Sequence, residues 1–564
     1  MSGGFVDLLD VKVPTPRLRL RAHSTHTSVK DELPRLGAPG SRSSELHTDR
    51  DVGIATPTIR ERNRFEQLRI VGMIGTLLMA LGGLGGGALP VVNNPYNSFA
   101  LGAVMGRALQ TSSSLVLIGV AMVVFSWVLM TPFVGALGGQ PLVQARTLLR
   151  TFFVWVIPLI VTAPLFTQDI YSYLAQGKIV ALGLDPYSAG PTQILGIEDP
   201  LGRSVPFIWA ESPSPYGPVA LAIAAGIFQL TGDSIFWGVT AHRLVSLVGV
   251  CVASWAIIAL AKRCGVAPPT AVWLGILNPL VILHLIAGIH NEAIMMGLLL
   301  LGVEIGLRGI DIMSRPLDDE EPAVFRGYTL LILSGVLISA AGMVKVSAFI
   351  ALGFVGMAYA RKISGARGLL RAIGLQTAVM VGTIAAATAL TGIGLGWVTG
   401  QGGAASIRSW LSVSTEVGVA AGLIAQLLGL GDHTDAMLGI TRTVALLIAA
   451  AFCVRMLWAT YRGTIHPVGG LGVATLVLVL LFPVVHPWYP LWAILPLAAW
   501  ANRRAFRAFV VLYCGTFSFL VLPRGLALPP GTVVTIYFMW AAGIVFVAAL
   551  CWCGLKLSRS KVLH

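Results

Sequence analysis

The sequence predicts an all-α polytopic membrane protein, and three observations carry that prediction. Of 564 residues, 55% are hydrophobic and only 11% are charged, against about 25% charged in soluble domains. Mean hydropathy is +0.80. Long apolar runs recur from residue 70 onward. No soluble fold of this size hides that much apolar surface, because a folded domain needs polar cover. Soluble enzymes, secreted modules and nucleic-acid binders are therefore excluded. The net charge of +14 (39 Lys+Arg against 25 Asp+Glu) orients helices in such a protein rather than binding nucleic acid. The six cysteines, Cys251, Cys264, Cys453, Cys514, Cys551 and Cys553, lie in or beside apolar runs and read as small buried hydrophobes.

Residues 1–69 mix both charge signs with Pro, Ser and Gly and lack an apolar period, which predicts a disordered cytoplasmic tail dispensable for the chemistry. Arg60, Arg62, Arg64 and Arg69 stand directly before the first apolar run, an arrangement that keeps the N-terminus in the cytoplasm. Residues 70–564 form the membrane domain, with about fourteen spans of the ~20 residues that a bilayer requires. Their expected cores are 70–89, 112–136, 149–166, 238–261, 268–289, 291–308, 326–343, 345–361, 370–391, 436–458, 468–486, 487–501, 505–522 and 533–555. Two further apolar stretches, 216–231 and 413–431, are placed on the outer face, since counting either as a span would put Lys262/Arg263 or Arg455/Arg462 outside. In this topology, 19 of the 27 Lys and Arg past the tail fall inside and 8 outside, and both termini are cytoplasmic.

The carboxylates point to the outer face. Outside the tail and the cytoplasmic loop 304–321, all ten fall there, and six of them lie in the long loop 167–237. That loop opens with "TAPLFTQDIYSYLAQGKIVALGLDPYSAGP", which brings Asp169 to the end of the expected third span, followed by Tyr171, Tyr173, Asp185 and Tyr187. Two readings fit Asp169: a polar interfacial cap, or a partly desolvated carboxylate suited to proton transfer. The "DPYS" turn shapes the loop. A second cluster, "GIHNEAIMMG", sets His290, Asn291 and Glu292 between two apolar helices. These are helix-capping groups or sugar ligands, and His290 lacks the i+3 or i+4 partner of a metal site. Lys345 is a cation between apolar runs with no local counter-ion, placed either to snorkel or to bind an anionic headgroup. "PVVHPWYPLW" groups His486 and Tyr489 with prolines and tryptophans, while Arg408 and Arg524 add two further outer cations.

There is no P-loop, no GxGxxG after a strand and no CxxC pair. Without a nucleotide fold, any donor has to arrive through the membrane.

The segments "TQDIYSYLAQGKIVALGLDPYSAGP", "SPYGPVALAI" and "LNPLVILHLIAGIHNEAIMMGLLLLGVE" resemble the actinobacterial polyprenyl-phosphomannose-dependent α-1,6-mannosyltransferases of lipomannan and lipoarabinomannan synthesis. These are multi-spanning glycosyltransferases of the GT-C superfamily. The resemblance runs over roughly 150–500, and the long polar tail is more like the branch that builds the mannan core than the elongating branch. It implies a GT-C-like bundle whose large outer loop carries short juxtamembrane helices. It also implies an inverting transfer at the outer face of the plasma membrane, from polyprenyl phosphomannose to a mannosylated glycolipid acceptor. Asp169 maps onto the family's catalytic acid. The expected phosphate cations are Lys345, then Arg524 and Arg408. Tyr171, Asp185, Tyr187, His290, Asn291, Glu292, His486 and Tyr489 are the expected substrate ligands. Neither a cofactor nor an obligatory metal is implied. A flippase or transporter of lipid-linked sugars is the alternative. It would place polar residues at mid-bilayer in paired broken helices, whereas the clusters here gather at one face.

Overall fold

The structure, a computed structural model, describes residues 53–313, 321–400 and 408–562; most of the expected tail lies outside the described residues. The described residues form helices and connecting turns, with no strand among them. The first helix, α1 (Ile59–Gly86), starts well before residue 70. Thr58 and Glu61 close a reciprocal capping box that satisfies two of its free amides. Next come α2 (Leu109–Leu129), α3 (Ala145–Val156), α4 (Asp169–Ala181), α5 (Pro218–Thr231), α6 (Ile235–Arg263), α7 (Pro268–Gly275), α8 (Glu292–Ile312) and α9 (Glu321–Gly342). The second half holds α10 (Ile350–Ile363), α11 (Gly365–Thr391), α12 (Val413–Leu427), α13 (Thr434–Arg462), α14 (Pro467–Leu481), α15 (Leu491–Trp500), α16 (Arg504–Phe517) and α17 (Pro530–Val562).

Among the described residues, eight helices are long and apolar enough to cross a bilayer. Several of the other expected spans are shorter because prolines interrupt them. The stretch 149–166 is not one helix: α3 ends at Val156, Pro158 turns the chain, and the approach to Pro164 is extended. There the Leu165 amide donates to Ala287 O (3.1 Å) and the Phe166 amide to Pro523 O (2.8 Å). Asp169 consequently opens a new helix rather than ending the previous one. The stretch 268–289 is also broken. Asn278 bonds back to Leu274 O and accepts from the Leu280 amide, Pro279 follows it, and Val281–Ala287 continues as a π-helical turn. The two stretches set aside as non-spanning, α5 and α12, have 14 and 15 residues, about 21–23 Å, short of the ~30 Å hydrocarbon layer.

Contacts between α6 and α8 fix the direction of the bundle. Gly249 faces Gly297, where a Cβ on Gly297 would fall 2.5 Å from the Gly249 carbonyl oxygen. Fourteen residues further along each chain, the Arg263 guanidinium meets Asp311. The two helices thus run parallel, and the broken segment 264–291 carries the chain back between them. Glycine is required where the backbones approach this closely, the usual device of helices packing in lipid. The return brings the start of α8 to the same end of the bundle as the start of α4.

Candidate active site

Four chain segments converge at that end. The first turn of α4 supplies Asp169, the start of α8 supplies Glu292, the extended residue after α9 is Lys345, and the α14–α15 turn brings His486, Trp488 and Tyr489. They line a cavity of about 750 Å³ together with Tyr173, Trp209 and Tyr216, within the range of small-molecule sites. Lys178, in the last turn of α4, lies 2.5 Å from Asp199 and 2.6 Å from Asp233. These bonds tie the loop to α4. Burial opposes the Lys178 charge, but the two carboxylates more than compensate and hold it above the ordinary lysine range.

Among the described residues, two carboxylates line the cavity, Asp169 and Glu292, and their surroundings differ. Glu292 is 5% exposed, and its Oε1 accepts from Lys345 Nζ at 2.6 Å and Trp488 Nε1 at 3.4 Å. It is a committed counter-ion. Asp169 is 25% exposed; its Oδ1 accepts from Trp209 Nε1 at 3.0 Å, and its Oδ2 lies 3.6 Å from His290 Nδ1. The second separation is outside hydrogen-bond range, which leaves Oδ2 without a hydrogen bond from any described residue. Burial, partly offset by Glu292 and Asp169, holds the His290 imidazole below its ordinary range, so it is neutral at pH 7. Its ring stacks on Trp488 at 4.0 Å, and its buried Nε2 has no partner among the described residues. Ile289 before it has a φ of 59°, a left-handed conformation unusual for a β-branched residue. That strain turns His290 back toward the site.

The expectation that Lys345 lacks a counter-ion is overturned. Beyond Glu292, its ammonium donates to the Tyr489 hydroxyl (3.2 Å) and sits 4.3 Å above the Tyr489 ring and 4.8 Å above that of Trp492. The carboxylate that neutralises it comes from a helix 53 residues earlier. Lys345 remains 26% exposed toward the cavity.

Of the expected site residues, Asp169, Tyr187, His290, Glu292, Lys345, His486 and Tyr489 are brought together in the lining of one cavity. Five other expected residues lie outside the lining. The Tyr171 hydroxyl is fully buried and donates to Ala88 O at 2.6 Å, a packing role. Asp185 accepts from the Tyr187 amide in an exposed turn, and Tyr187 in turn donates to Tyr216 O. Asn291 caps α8 without a side-chain bond. Arg408 pairs at 3.0 Å with Asp435, both exposed. Arg524 sits on the turn whose Pro523 carbonyl accepts from Phe166. The sequence reading missed Trp209, Tyr216 and Trp488 as site residues. Tyr216 stood in "SPYGPVALAI" and Trp488 in "PVVHPWYPLW"; Trp209 had only its place in the same long loop as Asp169.

The described residues thus form an all-helical multi-pass bundle with a polar, aromatic-walled cavity at one end, lined by a carboxylate without an ion partner and by a lysine paired to a second carboxylate. Comparison with known proteins supplies the class, a membrane glycosyltransferase. Residues 69–361 match the family model described as "Alpha-(1->6)-mannopyranosyltransferase, N-terminal domain", and residues 414–551 match the "MptB C-terminal domain". The chain is 54% identical to alpha-(1->6)-mannopyranosyltransferase B of Corynebacterium glutamicum, over 95% of this chain and 93% of that one. A probable alpha-(1->6)-mannopyranosyltransferase of Mycolicibacterium smegmatis is 41% identical, covering 84% of this chain and 86% of its own. Alpha-(1->6)-mannopyranosyltransferase A of Mycobacterium tuberculosis is 31% identical over 77% and 80% of the two chains. No solved structure matches. The chain belongs to the alpha-(1->6)-mannopyranosyltransferase family, and the higher identity to the B relative agrees with the branch expected from its sequence.

Proposed function

We propose that the protein transfers mannose from polyprenyl phosphomannose to an α-1,6-mannan glycolipid acceptor at the outer face of the plasma membrane. The observation that carries this reading is the division of labour between the two cavity carboxylates. Glu292 is spent on Lys345, whereas Asp169 keeps one oxygen free beside open space. An inverting transfer needs one base to take the proton from the attacking hydroxyl, and Asp169 serves. The mannosyl phosphate bond breaks as the acceptor oxygen bonds to the anomeric carbon, so the leaving phosphate gains negative charge. Lys345 is the cation lining the cavity to receive it. Sugar hydroxyls meet the unpartnered His290 Nε2 and the Tyr173–Tyr216 hydroxyl pair, which are 3.4 Å apart. The excess of basic residues on the opposite loops supports an outward-facing cavity.

The test is a membrane assay with radiolabelled polyprenyl phosphomannose and a synthetic α-1,6-mannoside. The expected result is α-1,6 extension with this donor and none with a mannose nucleotide. Nucleotide-dependent transfer, or movement of intact lipid-linked sugar across the bilayer without transfer, would overturn the proposal.

Trp209 aims the base. Its indole holds Oδ1 and leaves Oδ2 toward the cavity. A hydrogen bond to a charged group is worth about 1.5–3 kcal/mol. Trp209→Phe is expected to lower kcat roughly tenfold with donor and acceptor KM nearly unchanged. A rise in KM at constant kcat would make Trp209 a substrate contact instead.

A further inference from the structure

The far ends of α6 and α8 form a second cavity, about 510 Å³, lined by Trp255, Ile258, Lys262, Arg263, Glu304 and Arg308 along with Ala259. Glu292 and Glu304 stand twelve residues apart on α8, which separates the two cavities by about 18 Å of helix. Three cations and one carboxylate face this space. The carboxylate is already consumed: Glu304 is 3% exposed, accepting from Arg263 Nε at 3.0 Å and from Arg308 Nε at 2.6 Å. Arg263 spends its Nη1 on Asp311.

What remains unspent is cationic. Arg308 is 47% exposed, with only its Nε engaged by a carboxylate among the described residues, and its guanidinium lies over the Trp255 ring at 4.9 Å. The Lys262 side chain is exposed and has no hydrogen bond or ion pair to any described residue. A buried acid that orients two guanidiniums is more than a solvated charge patch, because Arg308 is held through its Nε and its two terminal nitrogens stay without a carboxylate among the described residues. The remaining wall is apolar: Trp255 is 47% exposed, with Ile258 and Ala259 one turn below on the membrane-crossing helix. Trp255 lies eight residues before the end of α6, about 12 Å of helix, which puts it inward of Lys262 on the apolar side of the cavity; basic pockets between membrane helices take lipid headgroups.

We propose that this cavity binds the headgroup phosphate of an anionic membrane lipid between Lys262 and Arg308, with the first acyl carbons along Trp255 and Ile258. A free phosphate offers the same anion but nothing for the apolar wall. The site is independent of the mannosyl-transfer reading, since it shares no residue with the Asp169 cavity.

The test uses full-length protein in detergent, titrated with phosphatidylglycerol or phosphatidylcholine and read by native mass spectrometry. Phosphatidylglycerol, a net anion, is expected to bind roughly tenfold or more tightly than phosphatidylcholine, whose choline sets a cation against Lys262 and Arg308. Lys262→Ala/Arg308→Ala should remove that preference. Lys262→Ala alone touches no packed contact, so it should weaken the preference without affecting the fold. Trp255→Ala should weaken binding of both lipids. Equal retention of phosphatidylglycerol by the wild type and the double variant would overturn the proposal. So would complete displacement of the lipid by inorganic phosphate, which would make this a soluble-anion site.

Discussion

Asp169→Asn is expected to cut kcat by about two orders of magnitude or more, with membrane insertion and thermal stability unchanged. The amide keeps the size of the side chain and can still accept from Trp209 Nε1, but it takes no proton from the acceptor hydroxyl. Because Asp169 is 25% exposed and makes no ion pair shorter than the 3.6 Å contact to His290, its neutralisation strands no buried charge. Loss of turnover then reports chemistry rather than unfolding. Asp169→Glu keeps the charge but moves the carboxylate by about one methylene, and positioned catalysis tolerates such a shift poorly; partial activity at best is expected. Asp185→Asn is the control. Asp185 lies in an exposed turn, where it accepts from the Tyr187 amide, outside the cavity, and an Asn oxygen can accept that same bond. Steady-state kinetics at saturating donor and acceptor decide the matter. A fully active Asp169→Asn enzyme removes the base, and a dead Asp185→Asn enzyme moves it further along the loop.

Composition made the membrane class legible, and the one-sided carboxylates pointed to Asp169 and to the His290–Glu292 cluster. What escaped was long-range or was broken by proline. Lys345 looked unpaired because its partner lies 53 residues away, and no local pattern carries that distance. Asp169 looked like the end of a membrane helix. Pro158 and Pro164 were visible in the sequence, and proline removes the amide that a continued helix needs, so the break was readable there. Apolarity alone does not report it. Tyr171 followed Asp169 closely enough to suggest the same site. On a helix that starts at Asp169, two residues on is a turn of about 200°, which points Tyr171 away to Ala88. Trp209 was unreadable as a partner of Asp169, because 40 residues of looped chain intervene.

Lys345→Ala is expected to fail in two ways, and a double variant separates them. The substitution leaves Glu292, only 5% exposed, as a buried charge without its ion partner. Breaking such a pair costs roughly 3–5 kcal/mol, so a lower unfolding midpoint in detergent is expected. It also removes the cation proposed to meet the leaving phosphate; loss of one such group costs roughly a hundredfold in turnover. Glu292→Gln in the same chain removes the stranded charge, while the amide can still accept from Trp488 Nε1. Lys345→Ala/Glu292→Gln should therefore regain most of the thermal stability and none of the donor turnover. Lys345→Arg keeps the charge, but its planar fork does not fit between the carboxylate, the Tyr489 hydroxyl and the two rings below, so it should recover turnover only partly. The cycle reads the coupling directly. If turnover returns together with stability in the double variant, Lys345 serves only to neutralise Glu292, and another cation must meet the phosphate. Arg524, on the turn that accepts from Phe166 three residues before Asp169, is then the next one to test.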